Sequence, residues 1–341
     1  MPQPDEHHKL DERNHVELPL LEQLDGLGWD VIDLTLKTHQ EPGDSFRETF
    51  TETALLPVLR KQLLVLNPWL EDDQVEDAVK KLTASFPGTQ LLKNNQHALD
   101  LLTSGTSVGE NRQTGEQSPT VDFVDFKEPS NNSYLAICQF KVRIRGTENH
   151  IIPDVTLFLN GLPVGLIECK SPKVKDALPS AIDQMMRYSE QRGAKGEGNA
   201  SLFYFNQIMV ATCRQEAKFG TITTHTEKHF YRWADPYPLT VDDLDHGSGS
   251  PNDQQRLVAG MFARQNLLDL IRSFTLFSTD DKGRTIKIVG RYQQFRAVKK
   301  AVNRLLEGKT PRERGGIVWH TQGSGKSFTM MFMVREMYRH A

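Results

Sequence analysis

The stretch Ile151–Pro172, IIPDVTLFLNGLPVGLIECKSP, constrains this chain more than any other. Two apolar runs, Val155–Leu159 and Val164–Ile167, flank an Asn-Gly pair, the strongest short-range hairpin signal. Runs so continuously apolar belong inside a sheet that is covered on both faces. Charges nevertheless stand at the ends of the hairpin: Asp154 where the first run starts, Glu168 and Lys170 where the second finishes. Two carboxylates and an ammonium are costly at a buried hairpin end unless they bind something, and a divalent metal with a phosphate satisfies all three. The competing reading, an edge hairpin with solvated charges, does not need such continuous apolar flanks.

Strand geometry tests the spacing. Side chains alternate faces, so Glu168 and Lys170 share one. A two-residue Asn160-Gly161 loop pairs Leu159 with Leu162 and leaves Asp154 opposite Ile167, on the wrong face. A three-residue loop from Asn160 to Leu162 pairs Leu159 with Pro163 and sets Asp154 across from Glu168. The spacing therefore predicts the three-residue loop, since only that register lets both carboxylates hold one ion.

At 341 residues, the chain has room for two or three domains. With 38% hydrophobic and 25% charged residues it reads as an ordinary soluble protein. It lacks the run of about twenty apolar residues that a membrane span requires. The opening MPQPDEHHKLDERNH has no apolar signal region, which argues against secretion. Cys138, Cys169 and Cys213 have no metal-ligand spacing and read as buried thiols in a reducing cytoplasm. A net charge of −3 leaves any nucleic-acid path to a local basic stripe.

In chain order, residues 1–14 are polar and expected to be flexible. Leu20, Leu21, Leu24 and Leu27 mark a helix that begins near Glu17 and stops at Gly28; Glu17 and Glu22 are the acids able to turn inward. Leu55, Leu59, Leu63 and Leu66 stack on a helix closed by Asn67-Pro68, and Glu71–Ser85 is a second amphipathic segment. Val121–Phe126 and Tyr134–Val142 read as strands before the hairpin. Ser180 with Asp183 is a capping signature that starts a helix carrying Gln184 and Tyr188 on one face. SLFYFNQIMVAT reads as a strand pair. The acidic, Gly/Ser/Pro-rich stretch 241–255 is the linker.

Beyond it, Ile317–Trp319 reads as a strand entering the Gly-rich loop TQGSGKS, followed by an apolar helix. That is the context of a phosphate-binding loop. Backbone N–H groups around Gly323, Ser324 and Gly325 would hold phosphate oxygens, with Lys326 on the β/γ-phosphates and Ser327 on Mg²⁺. His320 stands where the full pattern has Gly. A second acidic motif does not follow, so this chain is not expected to hydrolyse ATP.

From about Glu17 to its end, the chain resembles the N-terminal part of the restriction (motor) subunit of type I restriction–modification enzymes. Eight segments in order carry the resemblance: the Glu-containing first helix ending LGW, the LNP helix, NNSYLAICQF, PDVTLFLNGLPVGLIECKSP, QMMRY, LIRSFTLF, RYQQFRAV and TQGSGKS. The resemblance implies an α/β nuclease domain of the PD-(D/E)xK type over residues 15–240, a mixed central β-sheet flanked by helices. A linker at 241–255 then leads to the first strand, loop and helix of a RecA-like motor over 256–341. Asp154 and Glu168 are similar to its metal-binding carboxylates and Lys170 to its catalytic lysine. Glu17, with Glu22 as second choice, is similar to its upstream helical acid, and Gln184 and Tyr188 to its Gln-x-x-x-Tyr element. Gln294, with Gln293 the alternative, is similar to the glutamine that reads adenine. The implied activity is Mg²⁺-dependent endonucleolytic cleavage of double-stranded DNA, coupled to ATP-driven translocation by the full-length protein. The implied partners are methyltransferase (modification) and specificity subunits in the cytoplasm. The competing functions are a helicase or translocase with an appended nuclease outside restriction, and a non-catalytic docking module.

Overall fold

The structure, a computed structural model, describes residues 11–85, 90–194, 196–244 and 249–340. A π-helical turn, Arg13–Glu17, leads into α1 (Leu18–Gly26), and Gly28 at φ +87° turns the chain into β1 (Asp30–Asp33). Three helices follow: α2 (Leu56–Leu66), α3 (Asp72–Thr83) and α4 (Leu91–Ser104). Then come β2 (Tyr134–Cys138), β3 (Val155–Leu159), β4 (Leu162–Cys169), α5 (Ala177–Tyr188), β5 (Ile208–Thr212) and β6 (Ala217–Gly220). The six strands lie side by side in sequence order. β1 runs parallel to β2 and β4 to β5, while the remaining neighbours are antiparallel. This is the expected mixed sheet, and its parallel strands β1, β2, β4 and β5 all end on the same edge.

The hairpin differs from the expectation at one point. Its loop has two residues, not three: Leu159 pairs with Leu162 across Asn160 (φ +51°) and Gly161 (φ +83°). Both central residues with positive φ make the tight turn that matches strand twist. The turn is buried. Asn160 accepts from Ser133 N (2.7 Å) and donates to Phe123 O and Asn132 Oδ1, each at 2.8 Å, while Gly161 O accepts from Leu55 N (2.8 Å). The register is then shifted by a β-bulge: Phe158 pairs with Pro163 but Leu157 with Gly165, leaving Val164 as the extra residue. Val155 consequently faces Ile167, and Asp154 falls opposite Glu168 as expected, by a different device.

The bulge also shows in the core. Leu162 and Val164 join the apolar cluster on one face of the sheet, with Leu157 and Leu159; beyond the bulge it is Ile167 and Cys169 that do. Leu166 turns to the opposite cluster, with Phe158, Met185 and Tyr188. Helix α5 covers that second face. The first is covered by α1, α3, α4 and the segments after residue 250.

Those later segments are α6 (Asp253–Phe262), α7 (Arg264–Arg272), the hairpin β7 (Thr275–Thr279) and β8 (Thr285–Val289), α8 (Tyr292–Glu307), the short α9 (Pro311–Arg314) and α10 (Lys326–Tyr338). The stretch expected as a linker contains a 3₁₀ turn, Val241–Asp243, and the start of α6; residues 245–248 lie outside the described residues. Packing continues across it. Trp29 donates to Phe262 O (2.8 Å), Gln254 to Val16 O (3.1 Å), and the fully buried Lys287 donates to Asn95 Oδ1, Asn206 O and Gln207 Oε1. No described helix is long and apolar enough to cross a membrane.

Four local expectations are corrected. Residues 11–14, within the segment expected to be flexible, are helical, because Asp11, Glu12 and Arg13 find partners at the sheet edge; residues 1–10 lie outside the described residues. The helix after the hairpin starts at Ala177, three residues before Ser180, because Asp176 takes a left-handed conformation that turns the chain early. Of the two runs read as strands around 121–126 and 201–212, only Thr120–Val121 and Ile208–Thr212 pair. Ile317–Trp319 forms no strand and is exposed, Ile317 by 92%; a strand needs a neighbour to pair with, and none lies beside it among the described residues.

The buried turn yields a stability prediction. A Cβ at Gly161 would meet Leu55 O at 2.6 Å, at a φ that L-residues resist. Gly161→Ala is expected to lower unfolding stability by about 1–3 kcal/mol or more, measured by urea denaturation, whereas Gly43→Ala, with open space around it, should cost little.

Candidate active site

Where the parallel strands end, the charged residues gather. Asp154 immediately precedes β3 and Glu168 lies in the last turn of pleat of β4, both buried. Asp154 Oδ2 accepts from Cys169 N (2.8 Å), and Glu168 Oε1 lies 3.4 Å from Asp154 N, which donates to it. Lys170 Nζ stands 3.9 Å from Asp154 Oδ2 and 3.8 Å from Glu168 Oε2, and donates to Cys169 O at 2.7 Å. The strand end is pinned by Lys170 N donating to Thr212 O (2.9 Å) on β5. The hairpin thus brings its three charges together.

The first helix supplies the next acids. Glu17 is buried, accepts from Arg13 at 2.9 Å and lies 3.6 Å from Cys138 Sγ, while Glu22, the alternative, is exposed. Glu12, which the sequence reading passed over, reaches in as well: one oxygen each from Glu12, Glu17 and Asp154 lie within 4.8 Å of one another. Arg13, also missed, spans the ends of β1 and β2, pairing with Asp33 and donating to Cys138 Sγ (3.3 Å). A visible signal existed only in part. Glu12 and Glu17 are five residues apart, about 140° around an α-helix, and meet only because the turn between them is π-helical.

Gln184 and Tyr188 are also brought together: Gln184 Nε2 donates to Tyr188 Oη (2.5 Å), which donates to Ile152 O (3.2 Å). The pair therefore braces the backbone two residues before Asp154.

Burial sets the electrostatics. It lifts the Glu168 carboxyl well above the usual carboxylate range, reinforced by Asp154 and opposed by Lys170. Glu17 is raised by burial and by Asp154, against the pull of Arg13. Glu12 is raised to about 7, by burial first, with Lys170 opposing. For Lys170, burial favours the neutral amine, but Asp154, Glu168 and Glu12 outweigh it and hold the ammonium charged. Hard oxygen donors of this kind suit Mg²⁺, Mn²⁺ or Ca²⁺. One buried atom, Glu168 Oε2, has no hydrogen-bond partner, a vacancy in the bonding that a cation or its water would fill.

The Gly-rich loop lies elsewhere, beside a cavity of about 430 Å³. Gly323 (φ +78°) and Gly325 (φ +80°) take left-handed conformations, and Lys326 opens α10 with Lys326 and Ser327 exposed. Gln294, not Gln293, faces the loop: its Nε2 donates to Ser324 O (3.3 Å) and Gly325 O (3.1 Å), and its Oε1 accepts from Arg291 N (2.8 Å). Upstream residues Phe219–Thr224 and Tyr231 close the opposite wall of the cavity.

A mixed sheet with an acidic and basic cluster on its carboxyl edge, followed by a phosphate-loop sequence, is the frame in which the comparison with known proteins is set. Residues 9–228 match the profile of the type I restriction enzyme R protein N terminus, and residues 293–341 match that of the SWI2/SNF2 ATPase. The chain belongs to the family of type I restriction enzyme R protein N termini. It is 33% identical over 326 residues to the type I restriction enzyme HindI endonuclease subunit of Haemophilus influenzae, covering 94% of this chain and 29% of that protein. It is 22% identical over 316 residues to the type I restriction enzyme SauMSSORF170P endonuclease subunit of Staphylococcus aureus, covering 92% of this chain and 29% of that protein. The chain therefore spans about three tenths of the length of these relatives.

The raised Glu12 carboxyl gives a pH prediction for metal-free protein. Its folded-state value of about 7 exceeds the ordinary 4.5, so the proton stabilises the fold fully below about pH 4.5 and that stabilisation is lost as pH rises towards 7. Glu12→Gln has no proton to lose. In EDTA, its urea midpoint is expected to gain on wild type between pH 5 and pH 8; a constant difference across that range would contradict the assignment.

Proposed function

We propose that this chain carries the metal-dependent double-stranded DNA cleavage site of a type I restriction complex, joined to an ATP-binding loop of its motor. The observation that supports this most is the bulged register that sets Asp154 opposite Glu168 with Lys170 within 4 Å of both, in a member of this family. Asp154 and Glu168, with Glu17 from the helix, would hold Mg²⁺. When bound, Mg²⁺ supplies Lewis-acid polarisation of the scissile phosphate and acidifies the attacking water.

The remaining work belongs to the chain. Lys170, kept charged by its carboxylate neighbours, faces a non-bridging phosphate oxygen and complements the charge that grows there. Glu168 would ligate the metal and restrains the Lys170 ammonium. Gln184 and Tyr188 hold the Ile152 carbonyl and with it the approach of Asp154. In the second site, backbone N–H groups of Gly323, Ser324 and Gly325, with Lys326, would hold the phosphates of ATP, Ser327 would hold its Mg²⁺, and Gln294 beside the loop would read the adenine. The partners are DNA, the modification methyltransferase and the specificity subunit, in the cytoplasm.

In the assembled full-length enzyme, Asp154→Ala, Glu168→Ala and Lys170→Ala are each expected to reduce DNA cleavage by about a hundredfold or more while ATP hydrolysis persists. Normal cutting by Lys170→Ala would remove this assignment. Lys326→Ala should give the opposite pattern on nucleotide: loss of ATP binding, read by equilibrium dialysis, with Mn²⁺ binding at the carboxylate site intact.

A further inference from the structure

We propose that Glu12, which lies outside the Asp154, Glu168 and Lys170 pattern, is a direct ligand of the divalent cation at this site. The inference rests on the nuclease reading and adds a carboxylate to it. Three features carry it. One oxygen each of Glu12, Glu17 and Asp154 converge within 4.8 Å, a spacing that one hard cation can span. Beside Asp154, whose N–H donates to its Oε1, Glu168 is fully buried and its Oε2, 3.8 Å from the Lys170 ammonium, lacks any hydrogen-bond partner. Finally, the backbone between the two helical acids is π-helical over Arg13–Glu17, and residues five apart return to one face in that geometry alone.

Glu12 is also seated from the other side. Its Oε2 accepts from Ser171 N at 3.1 Å, and the neighbouring Asp11 pairs with Ser171 Oγ and with Lys173 Nζ (2.8 Å). The segment leaving Lys170 is thereby latched onto the first helix. This latch is the role Glu12 would retain if it were not a ligand, and the two roles separate experimentally. Glu12→Gln keeps an oxygen acceptor for Ser171 N but removes the charge a cation needs, while Glu12→Ala removes both.

The test is calorimetric titration of the metal-stripped 341-residue chain with Mn²⁺, alongside urea unfolding, for wild type, Glu12→Gln, Glu12→Ala, Asp154→Asn and Glu22→Gln. A ligand role predicts that Glu12→Gln raises the Mn²⁺ dissociation constant about tenfold or more with no loss of unfolding midpoint. Glu12→Ala should lose the same affinity and some stability, and the exposed Glu22→Gln should change neither. If Asp154→Asn abolishes binding but Glu12→Gln matches wild type, Glu12 is a latch only; the ligand proposal falls and the nuclease reading stands. If wild type shows no site that Asp154→Asn removes, both fall.

Discussion

The single extra residue at Val164 is the constraint on which the site depends. Asn160 and Gly161 are locked as a two-residue turn by positive φ angles and by buried hydrogen bonds to Ser133, Phe123, Asn132 and Leu55. That turn alone dictates a register with Asp154 against Ile167, and every residue of β4 beyond it would face the wrong way. The bulge reverses the alternation once. It turns Leu166 and Glu168 to the face of Phe158 and Asp154, and returns Ile167 and Cys169 to the opposite cluster. Pro163 and Gly165 flank the extra residue. Proline donates no ladder hydrogen bond and is tolerated inside a sheet at such an irregularity, and Gly165 leaves room where a Cβ would meet Leu157 at 3.2 Å.

Placing these charges at the ends of the strands makes their burial tolerable. Asp154 is bound by the Cys169 amide, Lys170 by the Cys169 carbonyl, and Glu17 by Arg13. Glu168 keeps one buried oxygen, Oε2, without a hydrogen-bond partner. Removing one member of a buried pair exposes the cost of the other, about 3–5 kcal/mol. On the proposed reading, a cation would relieve repulsion among acids that the fold already holds together.

Much of this was legible in the sequence, and the parts that were not share a cause. Leu59 and Leu63 announced α2, the Asn-Gly pair announced the hairpin, and the demand that Asp154 meet Glu168 correctly gave the register. The loop length was misread because a bulge and a longer loop shift register by the same one residue; Pro163 inside a central strand was the available clue. Glu12 and Arg13 were hidden because polar residues near a terminus read as solvated, and their partners, Ser171, Cys138 and Asp33, are distant in sequence. The strand expected at Ile317–Trp319 failed for the same reason in reverse. Its apolar letters were sound, but a parallel strand exists only through neighbours, and periodicity cannot supply them.

The helix behind the phosphate loop shows what polar burial adds where apolar pattern is silent. Around α10, Phe328, Met330, Met331, Phe332, Met333, Val334 and Met337 leave no clear apolar stripe, so burial of hydrophobic surface does not choose which side turns inward. Glu336 chooses. It is 1% exposed and meets Lys299 at 2.8 Å, while Lys299 and Arg339 both pair with the fully buried Asp269 of α7, and Arg339 donates onward to Phe126 O (3.1 Å). Rotating the helix by one residue would strand Glu336 and take Arg339 away from Asp269, a penalty that Met-for-Met exchange on the apolar side cannot offset. With the azimuth fixed, Thr329 and Phe332 face the core, and Lys326 and Ser327 are left at the exposed mouth of the loop, where a phosphate can reach them.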